Sequence, residues 1–371
     1  MADALGRDLA ALLDDAERRR SCATTTSRAT RRALLRAVET GAVASPHPGL
    51  FVREATWRVL AGDPMLKTRY VVGGLSSLHP HWIFCSHTAA ALHGLPISHA
   101  WLGKIHVTAS ATSHYRGSRR IAHHRIAHPH ETTIDGIRVT SLARTTLDVL
   151  RETGLGDGLA IADFVARARG WSRGELIDAL ERSGERTPGM ARALRIAQHV
   201  DPKSESGGES IARALMIKLG FVLPELQVRV ANPLVAGAHF RVDFAWILPD
   251  GTVVIGELDG REKYRSAAMV GVRSSVDVFA DERLRESLLT MTGARIVRFS
   301  FSELGDPESF ERKLLAFGVP KADSPMGRVI SSRDSAMHGG LPAPNGAVIR
   351  DGQLLFEDGR RANIFVEASQ A

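Results

Sequence analysis

Cysteine is scarce in this sequence: Cys22 and Cys85 are the only two among 371 residues. Two cysteines argue against a disulfide framework and against a cysteine-based zinc site. No apolar run approaches the roughly 20 residues that a membrane span requires, and the N-terminal segment lacks the apolar core of a signal peptide. These absences argue against secreted and membrane-spanning classes, so we expect a cytoplasmic protein.

The composition that remains is typical of globular protein, with 44% hydrophobic residues and a mean hydropathy of −0.08. A chain of 371 residues is too long for one ordinary core and predicts two or three domains. The net charge of +7 and the isoelectric point near 9.8 favour a polyanionic partner. For a protein of this class that partner is most often nucleic acid.

Residues 240–264 form a pattern that is typical of a β-hairpin. Two runs rich in Val, Ile, Phe and Trp flank the Pro-Asp-Gly sequence at 249–251, where proline presets φ and glycine permits a positive φ. If Leu248 and Thr252 close this turn, the pairing register follows by counting backwards. The predicted apolar pairs are Trp246–Val254, Phe244–Gly256, Val242–Leu258, Ile247–Val253 and Ala245–Ile255.

The same register predicts a concentration of charge at the open end of the hairpin. Asp243 falls opposite Glu257, and Arg241 falls opposite Asp259. Two carboxylates that face each other across a ladder repel, unless a cation such as a divalent metal lies between them. The alternative is that Arg241 neutralises the cluster and the acidic residues only line a solvated face. The residues alone leave both interpretations open.

The pattern D-x(13)-E-x-D-G-x-x-K at 243–263, with Glu209 upstream in ESIAR, resembles the very-short-patch-repair-endonuclease-like branch of the PD-(D/E)XK nuclease superfamily. The resemblance extends over residues 200–318. Three further segments contribute to it: PELQ at 224–227, DERLRE at 281–286 and RIVRF at 295–299.

The resemblance implies an α/β nuclease fold and Mg²⁺-dependent hydrolysis of phosphodiester bonds. It makes Asp243 and Glu257 the metal ligands, with Glu209 contributing directly or through water. The general motif has lysine where this chain has Asp259, and Lys263 is the residue that could fill that role. The implied catalytic set is Asp243, Glu257, Asp259, Lys263 and Glu209, with Arg261 as a nearby contact to nucleic acid.

The N-terminal region predicts a winged helix-turn-helix. A helix over 1–20 is followed by a second helix that begins near Ser27 and ends at Gly41, and 44–53 is predicted to be a short hairpin. The second helix would enter a major groove of double-stranded DNA, with Arg28, Arg31 and Arg32 as the basic contacts. The alternative is an amphipathic helix whose arginines are merely solvated.

This region and the next are similar to AbiEi-type antitoxins of type IV toxin–antitoxin systems. The segments that carry the similarity in the middle region are SHTAAALHGLP at 86–96 and VTSLARTTLD at 139–148. The similarity implies a regulator with a cognate toxin as a possible partner. The predicted fold class is therefore multidomain α+β, with a winged helix, an α/β middle region and a PD-(D/E)XK-like nuclease fold. The predicted domains are 1–75, 81–200 and 201–320, followed by a disordered linker and small hairpin tail at 321–371.

Local patterns in the middle region give more specific expectations. RYVVGG at 69–74 predicts a strand, Ser86 predicts the N-cap of a short helix, and Ser141 predicts the N-cap of a helix on which Arg144 pairs with Asp148. His87 and His93 are expected to make structural hydrogen bonds. A group of loop-like histidines is expected to be solvated or to face phosphate rather than to bind metal: His114, His123, His124, His128 and His130.

The sequence thus predicts a cytoplasmic DNA-binding protein with an endonuclease-like C-terminal domain. The alternative is a non-catalytic antitoxin-like repressor that uses the nuclease fold as a structural module. A third hypothesis replaces DNA by RNA as the substrate.

Overall fold

The computed structural model has a mixed α+β fold with twelve α-helices and several small sheets in the residues that it describes. Those residues are 2–109, 118–184, 187–235, 237–248, 250–259 and 275–322, together with short strands at 348–350, 353–355 and 361–362. The chain forms two compact units. The first comprises residues 1–153 and 178–193, and the second comprises residues 154–177 and 194–371.

The first unit begins with two helices and a hairpin, in the predicted order. These are α1 (Ala2–Arg18), α2 (Arg28–Glu39), and the antiparallel strands β1 (Val43–Ala44) and β2 (Val52–Arg53). The Ser27 hydroxyl accepts a hydrogen bond from the Thr30 amide and so caps α2. Leu34 of α2 is fully buried, in a core that also contains Leu13 and Phe51.

The next segment corrects one prediction. RYVVGG is not a strand, because it lies in α4 (Pro64–Leu78), which follows the short helix α3 (Glu54–Val59). Asp63 caps α4 by accepting from the Leu66 amide, and proline occupies its first turn. A Cβ atom on Gly74 would lie 2.7 Å from Leu50 Cδ2, so this glycine permits close packing of the helix and is not evidence for a strand.

A short helix, four strands and a longer helix complete the middle of this unit. They are α5 (Ser86–Leu92), β3 (Ile105–Ala109), β4 (Ile121–Arg125), β5 (Glu131–Ile134), β6 (Ile137–Thr140) and α6 (Leu142–Leu150). Strands β3 and β4 are parallel, whereas β5 and β6 are antiparallel. The predicted cap of α6 is confirmed, since Ser141 accepts from the Arg144 amide. The predicted cap of α5 is wrong: Cys85 holds the N-cap position, and Ser86 has a positive φ of 49° within the helix.

The helices α7 (Leu155–Arg169), α8 (Arg173–Ser183) and α9 (Met190–Ala197) follow. A capping box precedes α8: Ser172 and Glu175 exchange side-chain and backbone hydrogen bonds at 2.8 and 3.3 Å.

The second unit is built on a four-stranded sheet with the order β10-β9-β8-β7. Its elements are α10 (Gly207–Lys218), β7 (Glu225–Ala231), β8 (His239–Ile247), β9 (Val253–Asp259), α11 (Ser275–Thr290), β10 (Arg295–Ser300) and α12 (Pro307–Ala316). This is the predicted order of helices and strands. Strands β9 and β10 are parallel, and the other neighbours are antiparallel.

Apolar side chains cover both faces of this sheet. On one face, Phe244 and Trp246 pack with Met216 of α10 and Leu314 of α12. On the other, Val253 and Ile255 pack with Leu289 of α11. Burial on both faces explains why β9 is apolar at four consecutive positions before its acidic end.

The three short strands near the C-terminus form an antiparallel meander. The segment predicted to be disordered falls almost entirely outside the described residues. None of the described helices combines the length and the apolar character needed to cross a membrane.

Candidate functional site

The predicted hairpin register is confirmed at the turn. The Leu248 amide donates to the Thr252 carbonyl at 2.8 Å. Four of the predicted pairs are present: Phe244–Gly256, Ala245–Ile255, Trp246–Val254 and Ile247–Val253. Gly256 is required where it stands, since a Cβ there would lie 2.9 Å from the Trp246 ring.

Pairing between β8 and β9 ends at Phe244 and Gly256, so Asp243 and Glu257 do not form the predicted ladder pair. Instead Asp243 Oδ2 accepts a hydrogen bond of 3.0 Å from the backbone amide of Leu258. The pairing of β8 with β7 is also interrupted here, beside Gln227, which has a positive φ of 54°. These two interruptions open the sheet around Asp243.

The end of the β8–β9 pairing at Phe244 alters two further predictions. Val242 does not share the face of Phe244 but packs with Val253 on the other side of the sheet. Arg241 does not neutralise Asp259, because both of its terminal nitrogens bind Glu205, at 2.6 and 2.7 Å. The interpretation in which Arg241 neutralises the acidic cluster is therefore wrong.

The positive charge that neutralises Glu257 comes from two other arginines, Arg298 and Arg285. Arg298 Nη2 lies 3.1 Å from Oε2 of Glu257, and Arg285 Nη2 lies 2.5 Å from Oε1. Arg298 stands beside Glu257 because β10 runs parallel to β9 with these two residues in register. Arg285 reaches the same carboxylate from α11. The Glu257 side chain is 8% exposed, so this is a largely buried cluster of one carboxylate and two guanidinium groups.

Glu209 lies in the first turn of α10, where its amide donates to the hydroxyl of the N-cap residue Ser206. Its carboxylate accepts from the Glu205 amide at 2.9 Å and from the Ser206 hydroxyl at 2.8 Å. Gln227 donates to the same carboxylate at 3.0 Å. Burial raises the pKa of Glu209, and the charge of Asp243 raises it further, against the lowering effect of these hydrogen bonds. Glu209 and Asp243 are therefore electrostatic neighbours.

The remaining predicted residues divide into two groups. Asp259 is at the exposed end of β9, with its Oδ1 at 4.0 Å from Arg298 Nη1. Lys263 and Arg261 lie outside the described residues, so their predicted roles stay predictions. The structure thus brings Glu209 and Asp243 together where the sheet opens, and it pairs Glu257 with Arg285 and Arg298.

Three residues at this point were not assigned a role from the sequence, although each belongs to a motif that carries the resemblance. Gln227 ends PELQ, Arg285 lies in DERLRE, and Arg298 lies in RIVRF. The signal was therefore present in the sequence. The sequence alone did not predict these contacts, because the pairing of β10 with β9 and the packing of α11 bring together residues that are distant in the chain.

The oxygen-rich donor set suits a hard cation such as Mg²⁺, which proteins often bind through one or two carboxylates, with water and substrate completing the shell. Burial is the main cause of the raised pKa of Glu209, and the negative charge of Asp243, which a cation would offset, adds to it. Within the described part of the chain, no group of three or more His, Cys, Asp or Glu side chains has metal-ligand spacing. The predicted ligands, Asp243 and Glu257, are only two residues and so would not form such a group.

The second candidate surface is the outer face of α2. Arg28, Arg31, Arg32 and Arg36 are all exposed there. Among the described residues, no acidic group lies within 4.0 Å of any of the four. Other arginines of the first unit's N-terminal part do have acidic partners: Arg18, Arg19, Arg53 and Arg58.

The histidines of the middle region are arranged differently from the prediction. His123 and His124 lie on strand β4 and not in a loop, and both are half-buried. His124 Nε2 is 2.8 Å from His106 Nδ1, and the two rings are stacked. Burial is the main cause that lowers the pKa of His106 to about 4 and that of His87 to about 3. These imidazoles are therefore neutral at pH 7.

Two other histidine predictions can be placed. His93 makes the expected structural hydrogen bond, since its Nε2 lies 2.8 Å from the Thr140 carbonyl oxygen. His87 Nδ1 lies 3.2 Å from the Ser86 hydroxyl. His128 and His130 are exposed, as predicted, and His114 lies outside the described residues.

Comparisons with known proteins give no functional description. No protein-family model matches the sequence, and no solved structure matches it significantly. The chain is similar to two uncharacterized proteins of Mycobacterium tuberculosis, Rv2248 of strain H37Rv and MT2308 of strain CDC 1551. Each is 31% identical over 167 residues, a match that covers 45% of this chain and 59% of the relative. The chain therefore spans less than two thirds of the relatives' length.

Proposed function

We propose that the protein binds double-stranded DNA through α2 and its neighbouring hairpin, acting as a winged helix-turn-helix in the cytoplasm. The observation that carries this proposal is the set of four exposed arginines on one helix face without acidic partners in the described chain. Unpaired guanidinium groups are available for phosphate oxygens. Leu34 fixes the opposite face of α2 in the core and so holds the arginines outward.

The position of these charges supports a role in binding. The partial positive charge at the N-terminus of a helix is stabilised by acidic residues and disfavours cations. The first turn of α2 contains no acidic residue, and Arg28 and Arg31 lie at this end. Each arginine costs some helix stability here, and contact with a polyanion would offset that cost.

A salt titration of duplex binding tests the proposal. Each phosphate contact releases counterions and contributes about 0.9 to the slope of log K against log salt concentration. Replacing Arg28, Arg31 and Arg32 by alanine should weaken binding and reduce the slope by up to about 3. The matched control replaces the ion-paired Arg18, Arg19 and Arg58, which removes the same charge. Equal effects of the two triple variants, or an unchanged slope, would show that α2 does not bind the DNA.

The second candidate function is Mg²⁺-dependent hydrolysis of phosphodiester bonds in the second unit. The observation that favours it is the proximity of Glu209 and Asp243 where the sheet opens. Asp243 and Glu257 would hold the ion, which would supply an activated water and charge neutralisation. Asp243 is oriented by the Leu258 amide, and Glu209 by the capping hydrogen bonds of α10. Lys263 and Arg261 are proposed to contact the phosphate.

The alternative is a non-catalytic repressor, antitoxin-like and with a toxin as partner, in which the second unit has the PD-(D/E)XK-like fold without the activity. Its supporting observation is that Glu257 already has two guanidinium partners in Arg285 and Arg298. Plasmid cleavage with Mg²⁺ or Mn²⁺, abolished by Asp243→Asn and by Glu257→Gln, would favour the nuclease. DNA binding without cleavage in the wild type would favour the repressor.

A further inference from the structure

The first unit contains an open cleft of about 550 Å³, formed by α5, β3, the turn that precedes β3 and the segment that follows α6. Its volume falls within the roughly 300–1,000 Å³ that small-molecule sites occupy in proteins. None of its lining residues belongs to α2 or to the second unit. The lining consists of His87, Ala100, Trp101, Gly103, Lys104, His106 and Glu152.

His87 is the most deeply buried side chain of the lining, with 5% of it exposed. Its Nδ1 lies 3.2 Å from the Ser86 hydroxyl, and the Trp101 ring packs against the imidazole with 4.2 Å between ring centroids. Its Nε2 is buried and has no hydrogen-bond partner within the part of the chain that the structure describes. Buried polar atoms in folded proteins are almost always hydrogen-bonded. A molecule bound in the cleft would supply this partner.

The imidazoles of the cleft are neutral at pH 7, because burial is the main cause that lowers the pKa of His87 to about 3 and that of His106 to about 4. Each neutral imidazole has one donor and one acceptor nitrogen. The 2.8 Å contact between Nδ1 of His106 and Nε2 of His124 holds the His106 ring in place. These groups suit an uncharged polar edge of a ligand and do not by themselves attract an anion.

Three other side chains narrow the class of ligand. Trp101 is half-buried, so part of its indole is available to stack on a flat ring. The Glu152 side chain is 41% exposed, and its carboxylate only accepts hydrogen bonds and therefore requires N–H or O–H donors. Lys104 is exposed and carries a positive charge that suits a phosphate. A ligand that matches all three has an aromatic ring with N–H donors and an anionic group.

We propose that this cleft binds a nucleotide, with its base against Trp101 and its phosphate at Lys104. Guanine is the favoured base, because its ring N–H and its amino group lie side by side and can donate to both oxygens of the Glu152 carboxylate. Adenine has no such pair of adjacent donors. The imidazoles of His87 and His106 supply further hydrogen bonds to the base. A free nucleotide and an unpaired guanine in a single strand present the same chemistry.

The experiment measures the binding of guanosine monophosphate to the full-length protein by isothermal titration calorimetry. The wild type should bind it more tightly than adenosine monophosphate. Glu152→Gln should weaken binding about tenfold and remove the preference for guanine, because the amide has one acceptor oxygen where the carboxylate has two. Glu39→Gln is the matched control: it removes the same charge at an exposed position outside the cleft and should keep the wild-type affinity.

Lys104→Met tests the position of the phosphate. It should weaken binding of guanosine monophosphate about tenfold and leave binding of guanosine unchanged, since the nucleoside lacks the phosphate. Trp101→Leu should weaken both ligands about tenfold, because base–aromatic stacking is lost. Lys104 and Glu152 are exposed, so their variants provide the comparison if Trp101→Leu does not fold.

A short single strand of thymidines with one guanine distinguishes the two sources of the ligand. Binding of this strand that weakens in Glu152→Gln, without binding of guanosine monophosphate, would assign the cleft to single-stranded nucleic acid. Binding of guanosine monophosphate would assign it to the free nucleotide. The proposal is overturned if neither probe binds at millimolar concentration, or if binding is the same in the wild type and in the Glu152 and Lys104 variants.

Discussion

Arg213 of α10 and Asp163 of α7 form a fully buried ion pair, with Nη1 of Arg213 at 2.9 Å from Oδ2 of Asp163. The Ser210 hydroxyl and the Asp201 amide also donate to the Asp163 carboxylate, at 2.7 and 2.9 Å. These contacts join α7 to the segment that the sequence predicted as the start of the C-terminal domain. Ser204 and Ser210 in that segment are buried.

The first prediction compares the stability of two fragments of the second unit, one that contains α7 and one that lacks it. A fragment of residues 201–320 would keep Arg213 but lose α7, and with it both the ion pair to Asp163 and the packing of α7 on α10. We therefore expect residues 154–322 to unfold cooperatively in urea at a higher midpoint than residues 201–320.

Arg213→Met provides the internal control for this comparison. In the full chain it should lower stability, because Asp163 becomes an unpaired buried charge. In the 201–320 fragment it should change stability little, because neither Asp163 nor the helix that buries Arg213 is present. Equal losses in both contexts would show that the ion pair does not determine the boundary of this unit.

The second prediction concerns Asp243→Asn in the metal-free protein. The asparagine oxygen can still accept from the Leu258 amide, while the negative charge beside Glu209 is removed. We expect a small rise in melting temperature without metal and a lower pKa of Glu209, measurable by NMR titration. Mg²⁺ should stabilise the wild type by mass action and should not stabilise this variant.

Glu308→Gln is the matched control for that change. The Glu308 side chain is exposed on α12, so its replacement removes one negative charge without altering the site around Asp243. A rise in melting temperature of equal size in both variants would attribute the effect to net charge. A fall in the melting temperature of Asp243→Asn would mean that its charge stabilises the fold.

The third prediction is acid destabilisation of the first unit through its buried imidazoles. Burial, His124 and Lys104 lower the pKa of His106 from 6.5 to about 4. Below pH 6.5 the unfolded chain therefore binds a proton that the folded protein excludes. Stability contributed by His106 is complete above pH 6.5 and declines as the pH falls towards 4, by at most about 1.4 kcal/mol per pH unit.

His106→Asn should flatten the stability profile between pH 4 and pH 6.5, as followed by chemical denaturation. The Asn side chain can still hydrogen-bond to His124 but does not titrate. His128→Asn, at an exposed position, is the control and should keep the wild-type profile. A wild-type slope in His106→Asn would mean that other groups cause the acid sensitivity.

Local sequence signals predicted the parts of the fold that depend on neighbouring residues. The turn at 249–251 determined the hairpin register because a short loop leaves few alternatives for pairing. Ser141 located a helix start because capping is a contact within one turn. RYVVGG failed because a short β-branched run does not distinguish a strand from a buried helix, and the packing of Gly74 against Leu50 decided in favour of the helix.

The sequence by itself determined which acidic residues and which arginines are available: Glu209, Asp243 and Glu257 in one unit, and the basic face of α2 in the other. Only the tertiary structure decided how their charges are matched. Glu257 binds Arg298 and Arg285 because β10 aligns in parallel with β9 and α11 covers the sheet, and Arg241 binds Glu205 for the same kind of reason. Such pairings join residues up to 41 positions apart. No local pattern encodes them, since they depend on how strands and helices assemble.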